Sequence, residues 1–292
     1  MTNAQDQSTC VLLPLDGSKN SLEALATAQA IAEISCKTLH VLHVCEESYP
    51  QSDVLVHLGL PKKGVPGSTV DIALGDPSEQ ICARAAEEHI EFVVMSARGA
   101  GATADPVGRV ATRILENTHT NVVIVPPHTR SRSTIKRILV PLDGTPSSAD
   151  AVPAALEIAR ASRASVSVIH VPPTPEERVE ATEPGSFALE RKFDLKEERR
   201  LVGEFFERFV AHHAKPDDTM TIGLEIGSGH PADEIYSTAR RLEVDLIVAG
   251  WHGDISKGRA EVLRSVIPSV ECPVLAVKVE AHLPSSKLLL AQ

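Results

Sequence analysis

The sequence predicts an α/β protein made of two parallel sheets flanked by helices, and three observations carry that prediction. The stretch Val11-Leu12-Leu13-Pro14-Leu15-Asp16-Gly17-Ser18 returns as Ile138-Leu139-Val140-Pro141-Leu142-Asp143-Gly144-Thr145. Apolar β-rich runs alternate with helical runs across short turns, which is the pattern of parallel strands with helices on both faces. The chain has 292 residues, enough for two domains of ordinary size.

Each repeated box is a continuous apolar run, as expected of a strand buried on both faces. Gly17 and Gly144 permit a tight turn after it. Ser18 and Thr145 stand where a helix N-cap is wanted, and Pro146 takes the favoured first helical position. In the first copy a helix follows across about Ser21 to Ser35, then a strand at Thr38–Val44. In the second copy Ala151, Ala154, Ala155, Ile158 and Ala159 share a helical face. Pro153 is expected to kink that helix or delay its start, and Ser165–Val171 is the next strand. The third strands are Thr69–Leu74 and Met220–Ile226. Asp76 as N-cap, Pro77 as first residue and Glu79 as third make a helix start after Gly75, with Gly229-His230-Pro231-Ala232-Asp233 as the counterpart. The fourth strands are Phe92–Met95 and Asp245–Ala249, and the fifth are Val122–Val125 and Pro273–Val277.

The spacing between copies locates the insertions. Asp16 and Asp143 are 127 residues apart, Pro77 and Pro231 are 154 apart, and Val122 and Val274 are 152 apart. The second copy therefore gains residues between its second and third strands, roughly Pro172 to Asp218. There Leu201, Val202, Phe205, Phe206, Phe209 and Val210 form a helical stripe expected to pack on its own sheet. The matching part of the first copy, Glu46 to Gly67, is punctuated by Pro and Gly and reads as less helical. The Pro-, Ser- and Arg-rich stretch after Val125 reads as a linker. The division is residues 1–128, a linker at 129–136, a second domain at 137–280 and a tail at 281–292. Duplication implies two sheets.

The chain is 42% hydrophobic and 23% charged, the composition of a globular protein. A formal net charge of -10 disfavours a nucleic-acid or anionic-membrane binder, because both need positive fields. No apolar run approaches a membrane span, and the polar first ten residues lack a signal-peptide pattern. The five cysteines contain no C-x-x-C and read as buried free thiols in a reducing compartment. A cytoplasmic protein without a metal site is expected.

The chemistry concentrates at the strand ends, where open α/β sheets bind ligands. After the fourth strand come Ser96-Ala97-Arg98-Gly99 and Gly250-Trp251-His252-Gly253, and further on Gly108-Arg109 and Gly258-Arg259 lead into helices. Small residues let the backbone approach a phosphate, and the N–H groups of a following helix N-terminus point at the anion. Arg98 and His252 add basic groups suited to phosphate oxygens.

With these residues in place the chain resembles a tandem universal stress protein. The resemblance rests on the V/I-L-x-P-L-D-G-S/T box, the G-D-P turn, the glycine loop after the fourth strand, and Cys272-Pro273-Val274-Leu275 after the last helix. It covers nearly the whole chain, and it implies that the two fifth strands can meet within one chain, giving a built-in pseudo-dimer with further homodimerisation open. It implies two Rossmann-like domains of the adenine nucleotide alpha hydrolase-like kind, each a five-stranded parallel sheet of order 3-2-1-4-5. It also implies ATP binding, with or without Mg²⁺, through G-x2-G-x9-G-[S/T], with the strand-one Asp and the end of strand two touching the adenosine.

Carried over, Asp16 and Val44 match the nucleoside contacts of the first copy, flanked by Pro14 and Gly17. Ser96 replaces the first glycine of the motif, Gly99 matches the second and Gly108 the third. Arg109, followed by Val110, replaces the final Ser/Thr. In the second copy Pro141, Asp143, Gly144, Val171, Gly250, His252 and Gly253 match, while Ala260-Glu261 stand where Gly-Ser belongs, and Glu261 opposes phosphate. The first half is thus the expected nucleotide site. The resemblance implies a stress-response regulator that binds ATP or a related adenine nucleotide; the alternatives are an interaction protein of the same fold without nucleotide and, third, a slow ATPase. Gly99-Ala100-Gly101-Ala102-Thr103-Ala104 imitates a dinucleotide fingerprint but follows the wrong strand. His40 and His43 read as packed or surface histidines, and His212-His213 as a solvated pair at a helix end.

Overall fold

The computed structural model describes residues 9–45, 50–101, 105, 107–130, 133–143, 146–172, 200, 202–204, 206–208, 220–251 and 259–278. Strand β1 (Cys10–Pro14) is apolar and buried, and the chain turns after it at Gly17 with φ +80°. Any side chain there would meet the backbone, since a Cβ would lie 2.8 Å from the His57 carbonyl oxygen. Helix α1 (Lys19–Ile34) starts on Ser18, whose Oγ accepts the Ser21 amide at 3.1 Å. Strand β2 (Thr38–Cys45) follows, then a short helix α2 (Gln51–His57) that the Pro/Gly-punctuated sequence did not signal. After β3 (Ser68–Leu74), helix α3 (Pro77–Ala85) begins as its sequence requires: Asp76 accepts the Glu79 amide at 3.1 Å and Pro77 is the first residue. Strand β4 (Ile90–Ser96), helix α4 (Arg109–Asn117) and strand β5 (Asn121–Val125) complete the first half.

The second half repeats the order. Strand β6 (Arg137–Leu142) leads to α5 (Pro146–Ala149) and α6 (Ala151–Ser162). Pro153 has no N–H to give the Ala149 carbonyl, and the helical run is split at Asp150, so the main helix starts late. Then come β7 (Ser165–His170), β8 (Ile222–Ile226), α7 (Pro231–Arg241), β9 (Leu246–Trp251), α8 (Arg259–Ser269) and β10 (Val274–Lys278). Of the Phe-rich insertion, the described residues between 200 and 208 are helical; Val202 is buried and Phe206 packs against the core. Gly144, Thr145, Leu201, Phe205, Phe209, Val210, His212, His213, His252, Gly253 and the tail at 281–292 lie outside the described residues.

The strands form one ten-stranded sheet of order β3-β2-β1-β4-β5-β10-β9-β6-β7-β8. Within each half all neighbours are parallel and the order is 3-2-1-4-5. The two sheets are not separate. Their fifth strands pair antiparallel, Val274 with Ile124, Leu275 with Val123 and Ala276 with Val122. Alternation along the buried strands sends side chains to two apolar layers. One layer joins Val11, Leu13 and Val94 to α1 and α6, and the other joins Leu12, Val93 and Ile247 to α3, α4, α7 and α8. Each layer runs through both halves, and α1 touches α6 across the join. Among the described residues no helix is long and apolar enough to cross a membrane.

Candidate functional site

Parallel strands leave their carboxyl ends on one edge of the sheet, and the crevice there opens between β1 and β4. In the first half it is a cavity of about 280 Å³. The floor is apolar, built from Leu42, Val44, Ile81 and Met95, with Pro14 and Pro77 at the sides. Among the described lining residues Asp16 is the one acidic group and Arg109 the one basic group. Ser96, Gly99, Gly108 and Val110 also line it, so eight of the expected residues converge here.

Two expected residues do other work. Gly17 shapes the turn under His57 rather than lining the cavity. Arg98 is half-buried outside the lining, and its carbonyl accepts the Ser96 hydroxyl at 2.7 Å.

The loop after β4 is fixed by its backbone. Ala97 N–H donates to Val125 O at 2.8 Å, and Gly108 N–H donates to Ala97 O at 2.8 Å, closing the loop at its base. Gly108 is the N-cap of α4 and supplies no side-chain cap. The first-turn amides of α4, at Arg109, Val110 and Ala111, therefore face the mouth of the cavity as donors for an anion.

Asp16 reaches across that mouth. Its Oδ1 accepts the Ser18 amide at 2.9 Å and its Oδ2 accepts the Ala100 amide at 2.7 Å, tying the β1 turn to the β4 loop. Gly99 is required by this approach, because a Cβ there would run into Asp16 Oδ2. Burial alone pushes the Asp16 carboxyl up, but hydrogen bonds from the Ser18 side chain and from the Ala100 and Ser18 amides outweigh it and hold its pKa below the ordinary value.

Sequence reasoning missed several lining groups: Ser21, Leu42, Ile81, Met95, Ala97 and Ala111. The spacing of Pro77 and Ile81, one helical turn apart after the G-D-P turn, could have signalled that α3 turns a face to the ligand. It also missed the task of two histidines. His43 Nδ1 donates to the Leu15 carbonyl at 2.8 Å, and His170 Nδ1 donates to the Leu142 carbonyl at 2.9 Å, each fixing the residue before the strand-one Asp. Both histidines are buried, and their 127-residue spacing matches that of the boxes. His40 instead pairs with Asp71 at 2.8 Å.

The second half builds the equivalent cavity, smaller at about 130 Å³. Pro141, Asp143, Val171 and Gly250 line it, while the expected Gly144, His252 and Gly253 lie outside the described residues. Among the described residues no group of three His, Cys, Asp or Glu side chains is placed to hold a metal. None of the five cysteines forms a disulfide; Cys10 and Cys272 are buried but Cys36 is exposed.

Comparison with known proteins agrees with this geometry. The model of the universal stress protein family matches residues 56–126 and 134–278. The universal stress protein YxiE of Bacillus subtilis is 31% identical over 154 residues, covering 49% of this chain and 98% of that protein. The universal stress protein MJ0531 of Methanocaldococcus jannaschii is 32% identical over 146 residues, 49% of this chain and 82% of that protein. In structure, a universal stress protein from Archaeoglobus fulgidus superposes with TM-score 0.62 at 18% identity, covering 93% of this chain and 99% of that one. One described as a putative universal stress protein from Pseudomonas aeruginosa superposes with TM-score 0.64 at 19% identity, covering 95% and 96%. A repeated box, two crevices at equivalent strand ends and a family match in both halves lead to one conclusion: the chain belongs to the universal stress protein family.

Proposed function

We propose that the protein is a regulatory module whose first half binds an adenine nucleotide and whose second half binds it weakly or not at all. The observation that carries this reading is the 280 Å³ cavity, with an apolar floor for a purine, Asp16 at the level of a ribose and the α4 N-terminus with Arg109 at the level of phosphates. That volume lies near the lower end of the roughly 300–1,000 Å³ common for ligand pockets. In this reading the units are residues 1–128 and 137–280, joined by 129–136, and the paired fifth strands make the chain a pseudo-dimer. Cysteines without disulfides suit the cytoplasm.

Asp16 is already committed to two backbone amides, which leaves a Mg²⁺ ion to the phosphates and water. The same commitment argues against a slow ATPase, since no second carboxylate is present among the described lining residues to place a water. The competing reading is an interaction protein of the same fold that holds no nucleotide.

The test is mass spectrometry of ligand released from freshly purified full-length protein, followed by calorimetry with ATP. Co-purified adenine nucleotide supports the proposal. Empty protein with no thermal shift in millimolar ATP-Mg sinks it and favours the interaction protein. A hydrogen bond to a charged group is worth about 1.5–3 kcal/mol. Arg109→Gln is therefore expected to weaken ATP binding by roughly tenfold to a hundredfold while leaving adenosine binding unchanged.

A further inference from the structure

Two halves that repeat the same residues ought to build cavities of the same size, yet one measures about 280 Å³ and the other about 130 Å³. The described positions that line both cavities can be compared one by one. Leu42 corresponds to Ile169, Ile81 to Ile235 and Val110 to Val262, with little change of bulk. Met95 and Ser96 correspond to the smaller Ala249 and Gly250, which would enlarge the second cavity. Among the described residues that line both cavities, the exchange in the opposite direction is Ala111 for Leu263.

The register of that exchange is fixed by packing. Ala111, Ile114 and Leu115 are the buried face of α4, and Leu263, Val266 and Ile267 repeat the same spacing as the buried face of α8. Ala111 is 2% exposed and Leu263 is 7% exposed, so the extra side-chain volume is placed inside the crevice and not in solvent. Val266 also reaches the second cavity, whereas its counterpart Ile114 does not line the first.

We propose that this helix position, Ala111 in the first half and Leu263 in the second, selects which half admits a nucleobase-sized group. The steric argument stands on the two cavities alone; the choice of a purine as the group rests on the proposed function. The proposal separates selection by size from selection by charge, which the residues near the helix start would impose on phosphates.

The test uses adenosine, which carries no phosphate, in equilibrium dialysis against the full-length chain at millimolar ligand. The expected stoichiometry is one per chain for the unaltered protein, two for Leu263→Ala and none for Ala111→Leu. A folded Leu263→Ala protein that binds no more adenosine than the unaltered protein overturns the proposal. Circular dichroism establishes folding, and Leu263→Val and Ala111→Val are read the same way where the larger change unfolds the chain. If the unaltered protein binds no adenosine, the nucleotide reading of the first half fails. The Leu263→Ala arm still decides the size selection: gained binding supports it, and no binding overturns it.

Discussion

Asp16 carries more structure than an exposed carboxylate usually does. It joins two loops whose residues are 84 apart in sequence, and it does so only because Gly99 has no side chain. Hydrogen bonds hold its folded-state pKa below the ordinary value, near 3.9 in unfolded chains. The sign follows from linkage. A depressed carboxyl contributes stability that is present above its unfolded pKa and is lost as pH falls through its folded pKa. Asp16→Asn is therefore expected to flatten the acid limb of the stability curve below about pH 4, with little change in slope near neutrality, as measured by urea denaturation at a series of pH values. An unchanged acid limb would show that the loop tie carries no stability. The Asp and Gly were both legible as site residues in the sequence. Their mutual contact was not, because it depends on how β1 and β4 lie side by side, and no local pattern encodes that neighbourhood.

Elements were legible where their ends carry chemistry. Ser18 and Asp76 cap α1 and α3 through the amides that their spacing implies, and Pro153 stands in the first turn of a helix whose start is delayed to Ala151. Ser18→Ala is expected to cost about 0.5–2 kcal/mol by chemical denaturation, the usual range for a lost N-cap. It should also loosen the turn that carries Asp16, since the Ser18 hydroxyl is one of that residue's hydrogen-bond partners. Helix α2 was not legible, because its seven residues are too few for a helical period to stand out among the flanking Pro and Gly. Its position follows from tertiary contact instead: the His57 carbonyl sits over Gly17 and the His57 ring lies 5.1 Å from that of His43. The cavity's apolar floor was hidden for a similar reason. Leu42, Ile81 and Met95 look like any core residues until three different elements bring them to one edge.

At the scale of the whole molecule the duplication was plain in the sequence, which led to an expectation of two sheets, and the structure joins them into one. The apolar fifth strands allowed a meeting but did not require one. The structure joins them through backbone pairing at β5 and β10 and adds a buried side-chain link. Trp251 Nε1 donates to the Leu115 carbonyl at 2.8 Å, binding the end of β9 to the last turns of α4. Trp251 is the single tryptophan of the chain and is 5% exposed. Because both apolar layers run through both halves, thermal unfolding followed by Trp251 emission is expected to coincide with unfolding followed by far-ultraviolet circular dichroism. Two resolved transitions would show that the halves melt independently. Trp251→Phe removes the donor and is expected to lower stability by about 0.5–1.5 kcal/mol, and more if the carbonyl is left dry.

The antiparallel seam between β5 and β10 has one more consequence. Joined subunits on separate chains dissociate on dilution and can re-form with any compatible stranger. Here the mate is tethered, at an effective concentration that dilution cannot lower. The pairing is monogamous by covalent bond. One half can therefore drift in what it recognises without ever losing the neighbour that completes its sheet.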